Sequence, residues 1–221
     1  MKGLVIDCVN QRLTVAAKND HIRVLLSVDA GMNQSEKLPG TMAVVLEQAA
    51  LAPVDLDYTA LNRGPGSWTA LRLGFVALKA LHLAAGVPVY AVPTLLAHSH
   101  PFCAWPGAVV PALDAKRGRF YAAVYRRGVE CAPPQDATPE EIARILDSGE
   151  SILTVGPDAE LLAERLSDVR TGLDLRVVNS ALLAPESLFI LAEDMIAAGA
   201  LPLADWDGPD YIRSSDAEAG N

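Results

Sequence analysis

From Thr69 to Ala85 the polar positions are essentially Arg72, Lys79 and His82, spaced seven and three residues apart. That spacing puts them on one narrow stripe of an α-helix, while Leu71, Leu73, Phe75, Val76, Leu78, Leu81 and Leu83 cover the rest of its circumference. A helix apolar on most of its surface must be covered on more than one side. Its own sheet supplies one cover, and the other is either more of this chain or a partner. With 221 residues and 23.4 kDa the chain forms one large domain or two small ones. Complete burial of this helix is hard to arrange in so small a protein, so a partner is expected.

Hydrophobic residues make up 51% and aromatics only 5%, so the core is built from Ala, Leu and Val. The net charge of −9 is unevenly placed: Lys+Arg 8 against Asp+Glu 7 up to Cys103, then 10 against 20. Broad adhesion to nucleic acid or anionic membrane is thereby disfavoured. The one basic cluster, Lys116-Arg117-Gly118-Arg119 with Arg126-Arg127, reads as a solvated hairpin with charged ends rather than an RNA contact. The cysteines, Cys8, Cys103 and Cys131, have no C-x-x-C spacing, which argues against a disulfide framework or a zinc site and for a reducing cytoplasm. The apolar run before Asp7 is too short for a signal-peptide core, and no later apolar stretch is long enough to span a membrane.

Leu4–Ile6, Leu13–Ala17 and Ile22–Val28 read as an antiparallel meander turning at Asn10-Gln11 and Asn19-Asp20. A helix over Gln34–Ala52 follows, stopped by Pro53, then a strand over Tyr58–Leu61, the helix over Thr69–Ala85 ending at Gly86, and a strand over Val87–Val92. The segment around His98, His100, Pro101, Cys103 and Pro106 reads as loop. Strands restart at Ala108–Leu113 and Phe120–Tyr125, Pro133-Pro134 marks a break, and helices near Pro139–Leu146, Asp158–Leu166 and Pro185–Ala198 alternate with strands at Ile152–Val155 and Leu175–Val178. The pattern is α/β, with no internal sequence repeat, lobes of 1–103 and 104–221, and fraying in the last six residues.

Arg63-Gly64-Pro65-Gly66-Ser67-Trp68-Thr69 lies between a strand and a helix. Gly66 suits a positive φ, and Ser67 or Thr69 suits a helix cap, so the junction is either a structural turn or an anion site at the helix start. It is no Walker loop, because no Lys follows the glycines. Asp7 and Asp114 end strands that open the two halves; they either hold a metal–nucleotide or cap turns. The corner Cys8-Val9-Asn10-Gln11-Arg12 lacks Gly, Ser and Thr and would crowd a phosphate, which favours turns. There is no H-E-x-x-H and no G-x-S-x-G, His98 and His100 read as an ordinary loop pair, and Cys8 reads as inert core.

GPGSWTALRLGFVALKAL, with VPTL at Val92–Leu95, ALDAKRGRFYAAVY and the late PDYIR at Pro209–Arg213, resembles the TsaB (YeaZ) family. The chain departs from the family pattern in having Asp7-Cys8-Val9 for D-T-S, Gln34 where a His is usual, and Ala70 for Gly. The resemblance implies an actin-like, Hsp70-like (ASKHA) fold of two ribonuclease-H-like lobes, with mixed sheets and flanking helices. It also implies a non-catalytic partner of the TsaD subunit in making N6-threonylcarbamoyladenosine (t6A) in tRNA, with a TsaE-like ATPase as a further partner, homodimers when isolated, tRNA reached through the complex, and no metal or cofactor. Asp7, Gly64, Gly66, Ser67 and Asp114 would then be remnants of a nucleotide site. The interface would use Met42, Leu46, Leu71, Arg72, Phe75, Leu78, Lys79 and His82, with burial of Leu71, Phe75 and Leu78 supplying the affinity. The alternatives are an ATP-binding phosphotransferase of the same superfold or a peptidase.

Overall fold

The structure is a computed structural model and describes residues 1–213, so the terminal residues expected to fray lie outside the described residues. The chain divides into two units, Met1–Thr94 with Ala184–Asp210, and Leu95–Leu183 with the chain from Tyr211 on. The division expected after residue 103 therefore falls earlier, and the last helix belongs to the first unit.

In the first unit, β1 (Gly3–Asp7), β2 (Arg12–Asn19) and β3 (Ile22–Asp29) form the expected antiparallel meander. β4 (Tyr58–Gly64) and β5 (Val89–Pro93) add in parallel, giving the order β3-β2-β1-β4-β5. α1 (Gln34–Gln48) and α2 (Trp68–Ala85) pack side by side on one face. The core there is Leu4, Ile6 and Leu13 from the sheet against Leu38, Phe75 and Leu78 from the helices.

The opposite face explains why the last helix, α6 (Ala184–Ala197), returns. β1 is buried along its whole length, so its second face also needs an apolar cover, and α6 supplies it. The placement is held by polar chemistry as well. Glu193 of α6 pairs with Lys18 of β2 and accepts a hydrogen bond of 2.9 Å from the Tyr58 hydroxyl. Gly3 is required beneath that tyrosine, since a Cβ there would lie 2.6 Å from the ring.

The second unit repeats the topology without repeating the sequence. β6 (Ala108–Lys116), β7 (Arg119–Arg126) and β8 (Val129–Ala137) form a meander, and β9 (Ser151–Val155) and β10 (Asp174–Val178) add in parallel, giving β10-β9-β6-β7-β8. α4 (Pro139–Ile145) and α5 (Ala159–Val169) cover one face through Ile142, Leu162 and Leu166. Two expectations change. Pro133-Pro134 does not break the structure but lies within β8, an edge strand whose pairing slips opposite Ala122–Val124, and edges and bulges tolerate proline because no ladder N–H is needed there. The loop expected around His98 contains a short helix, α3 (Thr94–Ser99), entered after Pro93 and stopped before Pro101. No described helix is long and apolar enough to cross a membrane.

Candidate functional site: the glycine loop and the outer face of α2

The loop between β4 and α2 is tied down by Asp210, Thr94 and Val9. Gly64 takes φ +129°, a region that favours glycine, and a Cβ there would lie 2.2 Å from the Asp210 carbonyl oxygen. Asp210 also donates its N–H to the Arg63 carbonyl (2.8 Å) and pairs with the Arg63 guanidinium (2.8 Å). The Gly64 N–H reaches the Thr94 hydroxyl at 3.2 Å. The positive φ expected at Gly66 is thus found at Gly64, and Ser67 occupies the cap position of α2 without a side-chain capping bond.

A phosphate does not fit this loop. The Ser67 N–H, which an anion would need, donates to the Val9 carbonyl at 3.1 Å, and a Cβ on Gly66 would lie 3.0 Å from the Val9 Cβ. Cys8, beside it, is buried and points its thiol at the Ala70 carbonyl (3.0 Å); burial, then the nearby Asp7 charge, pushes that thiol up to about 12. Gln34, where the family carries His, is buried and donates its side-chain amide to the Asn10 carbonyl, so it clamps the first hairpin corner.

Asp7 is 4% exposed and accepts from the Asn62 amide (2.7 Å) and the Val9 N–H (3.3 Å). Burial outweighs both bonds and raises its carboxyl from 3.8 to about 6. A folded-state value above the unfolded one means that the folded protein holds the proton more tightly, so this group's contribution to stability falls as pH rises from about 4 to about 6. Asp7→Asn should therefore be more stable than the parent above pH 6, by on the order of 3 kcal/mol at most. A flip of the Asn62 amide would then present its Oδ1, which has no partner now, to the new amide. Urea midpoints measured from pH 4 to pH 8 check this, and a parent–variant difference that does not change with pH sinks it.

Asp114 belongs to the other unit. Its carboxylate accepts from the Lys116 N–H and side chain, both at 2.8 Å, and its own N–H donates to Asp158 at 2.8 Å, so it closes a turn. The basic cluster is drawn into ion pairs: Arg119 with Asp136 (2.8 Å), Arg126 with Glu150 (2.7 Å) and Lys116 with Asp114 (2.8 Å). His98 is fully buried against Ser180 (3.3 Å), and burial lowers it to about 4. Among the described residues no three His, Cys, Asp or Glu side chains gather to hold a metal ion.

The expected interface residues divide. Leu46, Leu71, Phe75 and Leu78 are buried beneath their own helices and have no surface to offer a partner. Lys79 donates to the carbonyls of Asp205 (2.6 Å) and Asp207 (2.5 Å), and His82 Nδ1 lies 2.8 Å from the Val87 carbonyl. Met42 is half-buried; Arg72 is exposed, with its guanidinium 4.5 Å from the centroid of the Trp68 ring. The apolar side chains that do face outward are Val76 (67% exposed) and Leu83 (80%) on α2, with Ala80 between them, and Val44 with Ala43 on α1. Positions 71, 75 and 78 form one helical stripe and 76, 80 and 83 another. Both are apolar, so the sequence showed two candidate faces but not which one the sheet would cover.

Two mixed five-stranded sheets of the same strand order, each with flanking helices, define an actin-like (ASKHA) α/β protein, here with its glycine loop filled by its own chain. A protein from Bacteroides thetaiotaomicron with an actin-like ATPase fold superposes with a TM-score of 0.50 at 10% identity, covering 86% of this chain and 95% of that one. The chain belongs to the family whose model is described as TsaD, tRNA N6-adenosine threonylcarbamoyltransferase, which matches residues 24–175, and within it to the TsaB (YeaZ) group. It is 28% identical over 229 residues to the tRNA threonylcarbamoyladenosine biosynthesis protein TsaB of Bacillus subtilis, covering 99% of this chain and 97% of that one. A Pseudomonas aeruginosa protein described as similar to peptidase YEAZ shares the fold with a TM-score of 0.81 at 22% identity, covering 96% of this chain and 99% of that one.

Proposed function

We propose that this chain is a non-catalytic subunit of the cytoplasmic machinery that makes t6A in tRNA, and that it binds and supports the TsaD-like transferase through the outer face of α1 and α2. The observation that carries the reading is the filled glycine loop: Val9 supplies both the acceptor for the Ser67 N–H and the side chain against Gly66, so the anion position at the start of α2 is taken by the chain itself. A scaffold keeps the fold while giving up that chemistry. The same loop weighs against the phosphotransferase alternative, which would use the Ser67 N–H for its nucleotide.

The contact surface follows from burial rather than from composition. Val76 and Leu83 are large, apolar and exposed on a helix whose opposite stripe is fully used by the core, and α1 adds Val44 beside it. An antiparallel packing of two such helix pairs buries these side chains against their counterparts. A TsaE-like ATPase joins the pair, tRNA is reached through the transferase, and the isolated chain forms homodimers.

The test is co-purification with the TsaD-like subunit of the same organism. The double variant Val76→Asp, Leu83→Asp should fold normally, because both side chains are exposed, and should lose the partner. Retention of the partner at parental yield by a folded double variant places the interface elsewhere.

A further inference from the structure

The segment after α6 builds a rigid support for one exposed aromatic ring. Leu203 donates its N–H to the Val89 carbonyl (2.8 Å), which docks the segment on β5. The Ala204 N–H donates to the Asp207 carboxylate (2.8 Å) and the Asp207 N–H returns to the Ala204 carbonyl (3.1 Å), so the turn Ala204–Asp207 is closed in both directions. The ammonium group of Lys79 then holds the carbonyls on either side of Trp206. Between those fixed carbonyls Trp206 stands 87% exposed. A free tryptophan normally folds down onto apolar surface, because burying such a ring removes on the order of 150–250 Å² from water. Here the backbone on both sides is anchored and the ring is left outward.

Its neighbours show what that ring serves. Lys79 lies between Val76, three residues before it, and Leu83, four residues after it, all on one stripe of α2. The tryptophan turn is therefore fastened to the midpoint of the exposed apolar stripe. Asp205 and Asp207 flank the ring, and the Lys79 ammonium is spent on backbone carbonyls. A second copy meeting this patch across a two-fold axis would bring those carboxylates together, which is unfavourable. A partner bearing Arg or Lys around an apolar cleft complements both features.

We infer that Trp206 is the anchor of a hetero-interface, inserting into an apolar cleft rimmed by basic side chains on a different protein. This rests on the reading of the TsaD-like transferase subunit as the partner of this chain. Because the backbone of the turn is ordered before binding, little backbone freedom is lost on association, which favours an aromatic anchor.

The experiment is calorimetric titration of the purified TsaD-like subunit with the full chain, with Trp206→Ala, and with the Val76→Asp, Leu83→Asp double variant. Trp206→Ala should keep the parental melting temperature and weaken binding at least tenfold, and Asp205→Lys should weaken it further at low salt than at high salt. Parental affinity in Trp206→Ala, with binding abolished in the double variant, overturns the anchor and leaves the helix-face reading standing. Weakened binding in Trp206→Ala, with full affinity in the double variant, supports the anchor and removes the helix face. Failure of the unmodified chain to bind the subunit overturns both. Sedimentation that shows Trp206→Ala abolishing self-association while hetero-binding stays at parental strength overturns the inference in favour of a second copy.

Discussion

Phe75→Ala should lower the stability of the chain by about 3–5 kcal/mol, the usual cost of truncating a large buried aromatic side chain. Phe75 is 3% exposed and sits in the core beneath α2 with Leu61 and Leu78, so the deletion opens a cavity that a sheet buried on both faces has little freedom to close. The residue beside it makes the contrast. Val76 is 67% exposed, and Val76→Ala should stay within about 0.5 kcal/mol of the parent. Urea unfolding of the two single variants reads this directly. Equal losses at positions 75 and 76 would mean that the helix is rotated from the orientation described. The comparison also decides how interface data are read: loss of partner binding in a Phe75 variant reports unfolding of the first unit rather than removal of a contact.

Gly64→Ala should cost about 3 kcal/mol or more, while Gly66→Ala costs about 1 kcal/mol. Two penalties act together at Gly64. The φ of +129° is a conformation that alanine adopts only with strain, and the new Cβ would sit 2.2 Å from a backbone oxygen, that of Asp210, which cannot turn away as a flexible side chain would. Relief requires the chain around Asp210 to shift, which also disturbs the Asp210–Arg63 pair. At Gly66 the backbone φ is not positive and the nearest atom is the Val9 Cβ at 3.0 Å, where a few tenths of an ångström suffice. Thermal melts of the two variants test the order, and a larger loss at Gly66 than at Gly64 contradicts this account of the loop.

Several elements were legible before any coordinates. The opening meander, the parallel strands and the three longest helices all carry their period in the sequence, and the element boundaries agree within a few residues. The crowding at Val9 was also readable in part, because the corner from Cys8 to Arg12 lacks the Gly, Ser and Thr that a phosphate cradle wants. Other features were hidden for identifiable reasons. Pro133-Pro134 looks like a break unless it is known that β8 lies at the sheet edge, and strand order is a long-range fact. Trp206 lies in a segment without periodicity, so nothing local distinguishes a presented ring from a buried one; the only signal is Asp-Trp-Asp, which flanks the aromatic with charge.

The same limit runs through the candidate site. Local pattern settled which residues form α2, that it is apolar on two sides, and that its glycine loop carries no lysine for a phosphate. Only the tertiary structure decided that the Leu71–Phe75–Leu78 stripe turns inward while Val76 and Leu83 turn out, that α6 crosses back to cover the first sheet, and that Gly64 rather than Gly66 takes the unusual backbone angle. Helical periodicity depends on neighbours three and four residues away, so the sequence expresses it directly. The choice between two apolar faces depends on strands before and after the helix, and the squeeze on Gly64 on Asp210 far along the chain, and those atoms are brought into range only by the packing of the sheet.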